Sequence, residues 1–137
     1  MSRLTDQVAI VTGGAEGLGF GIASRLAADG AKILIVDQNE KLGLKSSELL
    51  GASGSTVKFL AGDVTDPSTA TVAIDTAVRS WGRVDILINN AGIGGTNGNI
   101  WELPIEEMDR VYQVNLRGVF IFTKLVLPQM IQQNYGR

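Results

Sequence analysis

Residues 12–19 read TGGAEGLG, four glycines in eight positions, directly behind the apolar run VAIV at 8–11. A chain that gives up so many side chains where a strand ends either turns tightly or brings its backbone close to something else. The surrounding pattern decides between these. Apolar segments rich in Val and Ile recur as VAIVT (8–12), KILIVD (32–37), VKFLAGD (57–63) and VDILIN (84–89). Their continuous rather than alternating character suits strands covered on both faces.

Segments with helical spacing separate them. Leu18, Ile22, Leu26 and Ala27 share one face of a first helix that Asp29-Gly30 ends. A second runs from Glu40 to Leu50, closed by the SGS turn at 53–55. A third opens at Asp66-Pro67, a cap residue followed by proline at the first helical position, and reaches about Trp81 before Gly82 stops it. A long loop and a long helix over 105–133, with a bend near Pro128, complete the chain. Strand and helix in alternation predict an α/β fold: a Rossmann-like doubly wound parallel sheet with right-handed crossovers, ending after the fourth strand and its following long helix. Residues 1–137 read as one domain.

Composition narrows the function classes. The chain has 137 residues, 45% apolar and 19% charged, with a net charge of -2, which gives no reason to expect nucleic acid or an anionic membrane as partner. No window holds 18 uninterrupted apolar residues; VFIFTKLVL is broken by Lys124. The start, MSRLTDQ, lacks the pattern of a signal peptide, so a cytoplasmic location is expected. The chain contains neither Cys nor His. That removes disulfides, most zinc sites and every Ser-His or Cys-His hydrolase arrangement, and no metal site is expected. Acid-base chemistry would fall to carboxylates, Tyr or Lys.

On this map TGGAEGLG is the first strand-to-helix turn. A helix starting near Gly17 presents unpaired N–H groups and the positive end of its dipole, an anion site. Gly13 allows the tight exit, Gly17 a close backbone approach to a pyrophosphate, and Gly19 the packing of helix on sheet; Glu16 and Leu18 flank Gly17 in the same loop and are assigned to the cofactor with it. A P-loop is the rival, but no Gly-Lys-Ser/Thr follows. Asp37, ending the second strand, stands where a dinucleotide fold bonds the adenosine ribose hydroxyls; otherwise it is a solvated residue before a turn. Asp37 and Glu16 would both repel a 2′-phosphate, so NAD is expected over NADP. Asp63-Val64 suits the edge of adenine, or else is a plain loop beside the Asp66 cap. The fourth strand ends in Asn89, Asn90, Ala91 and Gly92. Buried amides need partners, so Asn89 is assigned to tying strands together and Asn90, with Ala91 and Gly92, to the cofactor.

These residues together resemble the N-terminal part of the short-chain dehydrogenase/reductase family. T-G-x-x-x-G-x-G matches at Thr12, Gly13, Gly17 and Gly19, N-N-A-G at 89–92, the acidic residue at Asp37, D-V at 63–64, and the active-site asparagine at Asn115 in VYQVNLRGVF. The resemblance implies a seven-stranded sheet and hydride transfer between NAD(H) and an alcohol or ketone. It also implies a Ser-Tyr-Lys set supported by asparagine, and a homo-oligomer formed through the 105–133 helix. The chain departs from the family at the catalytic set. Tyr112 is followed four residues later by Leu116, Tyr135 lies two residues from the end, and no serine follows Ser80. The expectation is half of an enzyme, inactive alone, with an unpaired outer side on its fourth strand. Asn115 reads either as a hydrogen-bonded helix distortion helped by Gly118 or as part of a proton relay. The helix around it, apolar nearly all round, is expected to be covered on two faces. The loop 92–104 follows the nicotinamide side, and Trp101 in it reads as ordinary packing or a pocket wall.

Other readings stay open at this point: an NAD-binding module without chemistry, a fragment without function, and a methyltransferase using S-adenosylmethionine through the G-x-G-x-G of Gly17, Gly19 and Gly21.

Overall fold

Val8–Thr12 is buried along its whole length and forms β1, an inner strand of the sheet in a computed structural model that describes residues 3–137. The elements follow as α1 (Gly17–Ala28), β2 (Lys32–Asp37), α2 (Glu40–Ala52), β3 (Val57–Ala61), α3 (Pro67–Trp81) and β4 (Ile86–Ile88). Then come α4 (Ile105–Tyr112), a π-helical turn (Gln113–Arg117) and α5 (Gly118–Gln132). All strand pairs are parallel, in the order β3-β2-β1-β4. The doubly wound fold is therefore as the alternating pattern predicts.

The pleat of β1 and β2 divides two cores. Val8, Ile10, Leu34 and Val36 point to the side of α3 and α5, where Ala73, Ala77, Ile121, Phe122 and Val126 are buried with them. Ala9, Val11, Ile33 and Ile35 point to the side of α1 and α2, against Ala23, Ala27 and Leu50. Strands apolar at every position are what a sheet sandwiched between helices requires. Each fully buried Val, Leu or Ile contributes about 1.5–3 kcal/mol relative to exposure.

The helix ends obey local chemistry. Asn39 caps α2 by accepting from Leu42 N–H, and Asp66 caps α3 by accepting from Ser68 N–H. Gly82 ends α3 in the left-handed region, at φ 81°. At the other end of the sheet Asp85 is fully buried, accepts from Val8 N–H at 2.9 Å, and is gripped by Arg83 Nε at 2.8 Å. The Gln133 side chain closes the same corner by donating to Val84 C=O at 2.6 Å.

Several expectations need correction. The third and fourth strands are shorter than 57–63 and 84–89, because strand pairing covers only Val57–Ala61 and Ile86–Ile88. The buried face of α1 is Gly19, Ala23 and Ala27; Leu18 is 77% exposed. Small residues face the sheet there because the helix lies close to it. Pro128 lies inside α5, which continues through it, and the same helical run carries a π turn around Asn115. Only one face of this run is covered. α4 has no buried residue, and Leu116, Phe120, Leu127 and Ile131 remain exposed beside buried Ile121, Phe122, Val126 and Met130. Ile105–Gln132 also reaches, over an 18-residue window, the mean hydropathy (1.2) of a membrane-crossing helix, although Lys124 interrupts it and its buried face packs on α3. The outer side of β4 is not bare. Arg137 donates to Asp85 C=O and accepts from Leu87 N–H, each at 2.9 Å, the alternation of a parallel pair.

Candidate functional site

The chain leaves β1 towards β2 on one side and returns from β3, by way of α3, to β4 on the other. The carboxyl ends of β1 and β4 therefore flank the point where the winding direction changes, which is where open α/β sheets hold ligands. Thr12 knots these two ends together. Its buried hydroxyl donates to Ile88 C=O at 3.2 Å and accepts from Asn90 N–H and Ala91 N–H, both at 3.1 Å.

The glycine turn leaves β1 from this knot. Gly13 and Gly17 take φ values of 62° and 55°, which an L side chain rarely adopts. Gly19 has a different reason to be bare: a Cβ there would run into Gly13 C=O and the Asn90 amide. Glu16 occupies the cap position of α1 in extended backbone but makes no side-chain cap bond, unlike Asn39 and Asp66 on the next two helices. The first N–H groups of α1 are thus left to an outside acceptor.

A cavity of about 400 Å³ opens in front of these groups, within the usual size range of small-molecule sites. Gly13, Glu16, Leu18 and Gly19 line one wall. Asp37 and, from beyond β3, Asp63 and Val64 line the second. Asn90, Ala91 and Gly92 line the third. Of the residues that the sequence assigned to the cofactor, Gly17 alone is not in the lining; it supplies the turn. Val36, Gln38, Gly62, Ile93 and Val114 also face the cavity and carry no motif signal.

The polar side chains are already engaged. Asp37 Oδ2 accepts from Ala15 N–H at 3.1 Å and Oδ1 from Asn39 N–H at 3.0 Å, so the carboxylate is oriented by the glycine turn. Asp63 Oδ1 accepts from Thr65 N–H at 2.8 Å, an Asx turn just past β3. Asn90 Nδ2 donates to Thr12 C=O at 3.1 Å and Gly13 C=O at 2.9 Å. The strand-tying role expected of Asn89 therefore belongs to Asn90, which also lines the cavity. Asn89 instead donates to Thr123 Oγ1 on α5.

Asn115 lies outside the cavity lining but holds its rim. Its side chain accepts from Ile93 N–H at 2.8 Å and donates to Ile93 C=O at 2.9 Å. Further along the same loop, Glu107 of α4 accepts from Thr96 N–H at 2.6 Å and Thr96 Oγ1 at 2.8 Å. Arg110, together with these two bonds, holds the Glu107 carboxyl at about 2. Trp101 is 79% exposed, so it is neither packed nor a pocket wall. Among the described residues, no group of three or more carboxylates converges as a metal site.

The model of the short chain dehydrogenase family matches residues 7–137. The chain belongs to the short-chain dehydrogenase family. It is 38% identical over 136 residues to a Comamonas cyclopentanol dehydrogenase, covering 99% of this chain and 54% of that one. It is 36% identical to a Sphingomonas 2-dehydro-3-deoxy-L-rhamnonate dehydrogenase (NAD(+)), covering 98% and 53%. An NAD+-bound xylitol dehydrogenase superposes with a TM-score of 0.94 at 33% identity, over 98% of this chain and 52% of that one. The chain thus spans about half the length of the short-chain dehydrogenases it matches.

Proposed function

We propose that this chain is the cofactor-binding part of an oxidoreductase that moves a hydride between NAD(H) and the carbon of a small alcohol or ketone. The observation that carries the proposal is the convergence of the uncapped α1 N-terminus, Asp37, Asp63 and Asn90 on one cavity. The names of the relatives, dehydrogenases of cyclopentanol and xylitol, support the substrate class.

The residues fit the dinucleotide. The bare Cα atoms of Gly13 and Gly19 leave the strand end and the helix start in direct contact, so that free N–H groups from the α1 N-terminus would hold the diphosphate. Asp37 would accept from the ribose hydroxyls of the adenosine, with Asp63 and Val64 beside the base. Asn90, Ala91 and Gly92 would line the path to the nicotinamide, which supplies the hydride acceptor when bound. Asn115 would act from outside the cavity by holding Ile93 in place. Asp37 and Glu16 place negative charge where a 2′-phosphate would lie, which supports NAD over NADP. The 137 residues hold no Tyr-x-x-x-Lys pair, so we read this chain as binding without turnover. In the proposed assembly, the exposed apolar residues of α4, the π turn and α5, Met108, Leu116, Phe120 and Ile131 among them, pack against a second copy.

Calorimetric titration with NAD and NADP tests this, together with NADH formation across a panel of secondary alcohols. Binding of NAD with no turnover is the expected result. No binding of either nucleotide at millimolar concentration, or a tenfold preference for NADP, would overturn the reading of the site. Turnover by the 137-residue chain would overturn the reading of its chemistry.

A further inference from the structure

Ala15, at the centre of the glycine turn, is held on both sides by residues from outside the turn, each through a different peptide group. Ala15, 3% exposed, donates its N–H to Asp37 Oδ2 at 3.1 Å, and its C=O accepts from Ser46 Oγ at 2.5 Å. Ser46 belongs to α2, on the buried face formed with Gly43 and Leu50. Serines inside helices ordinarily return their hydroxyl to a carbonyl one turn back. Ser24 and Ser47 do so here, bonding Phe20 C=O and Leu44 C=O. Ser46 instead crosses to a different element, 31 residues away in the chain.

That bond has a directional consequence. In a trans peptide the C=O and the following N–H point in opposite directions. With Ala15 C=O drawn to Ser46, the Glu16 N–H is turned away from α2. Glu16 lines the cavity and Ser46 does not. The same peptide plane sets the backbone that enters Gly17 and starts α1, whose first N–H groups carry no side-chain cap.

Resting on the nucleotide reading above, we infer that Ser46 is a positioning residue for the anion-holding turn. It fixes the Ala15–Glu16 peptide so that the amides at the start of α1 aim at a diphosphate. Its effect is then specific to the diphosphate half of the ligand and leaves the adenosine half alone.

The test compares the 137-residue chain with Ser46→Ala and Ser46→Cys, the second keeping the volume while losing the strong hydroxyl donor. Affinity for NAD and ADP-ribose is measured by calorimetry, and affinity for adenosine by ligand-observed NMR. Both variants are expected to bind NAD and ADP-ribose about five- to tenfold more weakly, the effect of one lost hydrogen bond. Adenosine affinity is expected to change less than about twofold. Unchanged NAD affinity in Ser46→Ala, wild-type affinity in Ser46→Cys, or an equal loss for adenosine would each overturn the inference while leaving the nucleotide site standing. A wild-type chain that binds neither NAD nor ADP-ribose would overturn the nucleotide reading itself, and this inference with it.

Discussion

Asn115 grips Ile93 from both sides of its backbone, accepting its N–H and donating to its C=O, and so closes a ring between the π turn and the loop that leaves β4. Asn115→Ala is expected to open both bonds at a cost of about 1 kcal/mol, the usual net value for solvent-accessible hydrogen bonds. The Ile93 amide should then exchange with solvent faster, while Leu34 and Ile35 in β2 keep their protection. Hydrogen exchange read residue by residue checks this, and an unchanged Ile93 rate would refute it.

Asp37 is expected to govern the choice of cofactor through charge. A 2′-phosphate at about 4 Å from a carboxylate meets a repulsion of roughly 4 kcal/mol at an effective dielectric of 20. Wild-type protein should favour NAD over NADP by at least about tenfold, and the ratio should narrow as salt screens the charge. Asp37→Asn keeps an acceptor for Ala15 N–H and removes the charge, so it should close most of the gap. Titrations with both nucleotides at low and high ionic strength decide this.

Three glycines at the start of α1 should respond in three ways to alanine. At Gly19 the new methyl meets backbone carbonyl and the Asn90 amide, so a loss of about 1–3 kcal/mol and of nucleotide binding is expected. Gly17 has open space, but its φ of 55° makes alanine cost about 1–2 kcal/mol. Gly21 has open space and ordinary helical backbone, so alanine should stabilise by about 0.5–1 kcal/mol. Thermal unfolding of the three variants gives the order.

The Glu107 clasp on Thr96 should depend on pH in one direction. Hydrogen bonds from Arg110 and Thr96 lower the carboxyl from 4.5 to about 2. A lowered carboxyl pKa means that the contribution is complete above the unfolded value and is lost as pH falls through the folded one. The loop anchoring is therefore expected to be constant from about pH 5 upward and to fade between 4.5 and about 2. Fluorescence of Trp101, followed in a Trp81→Phe background, reports the loop, and Glu107→Gln should abolish the transition.

Features whose cause is local were readable from the chain. Asp66-Pro67 starts a helix and Gly82 stops one because capping and backbone freedom act within a few residues. The cavity residues were readable because the ends of parallel strands collect at one edge, whatever else the fold does. What escaped depends on distance or on register. Ser46 and Ala15, or Asp85 and Val8, are partners across 31 and 77 residues, and nothing near either serine or aspartate announces the other end. That Asn90 and not Asn89 ties the strands is a matter of which amide the pleat turns towards β1. The apolar period of α1 pointed to Leu18, whereas close contact with the sheet admits only Gly19, Ala23 and Ala27 on the inner face. α5 carries large apolar residues on its exposed side as well, Phe120, Leu127 and Ile131, so hydropathy alone could not tell which side the fold would bury.

Asp85 has a consequence at the far end of its strand. It fastens to Val8 N–H at the foot of β1, while Asn90 fastens to Thr12 and Gly13 at the top, with the three residues of β4 between. The two fastenings act as a gauge block: strand length and spacing leave a single rung on which Asn90 can land. A slip by one residue would turn that amide to the opposite face. The geometry of the cleft is thus calibrated by a carboxylate buried at the opposite edge of the sheet, outside the cavity lining.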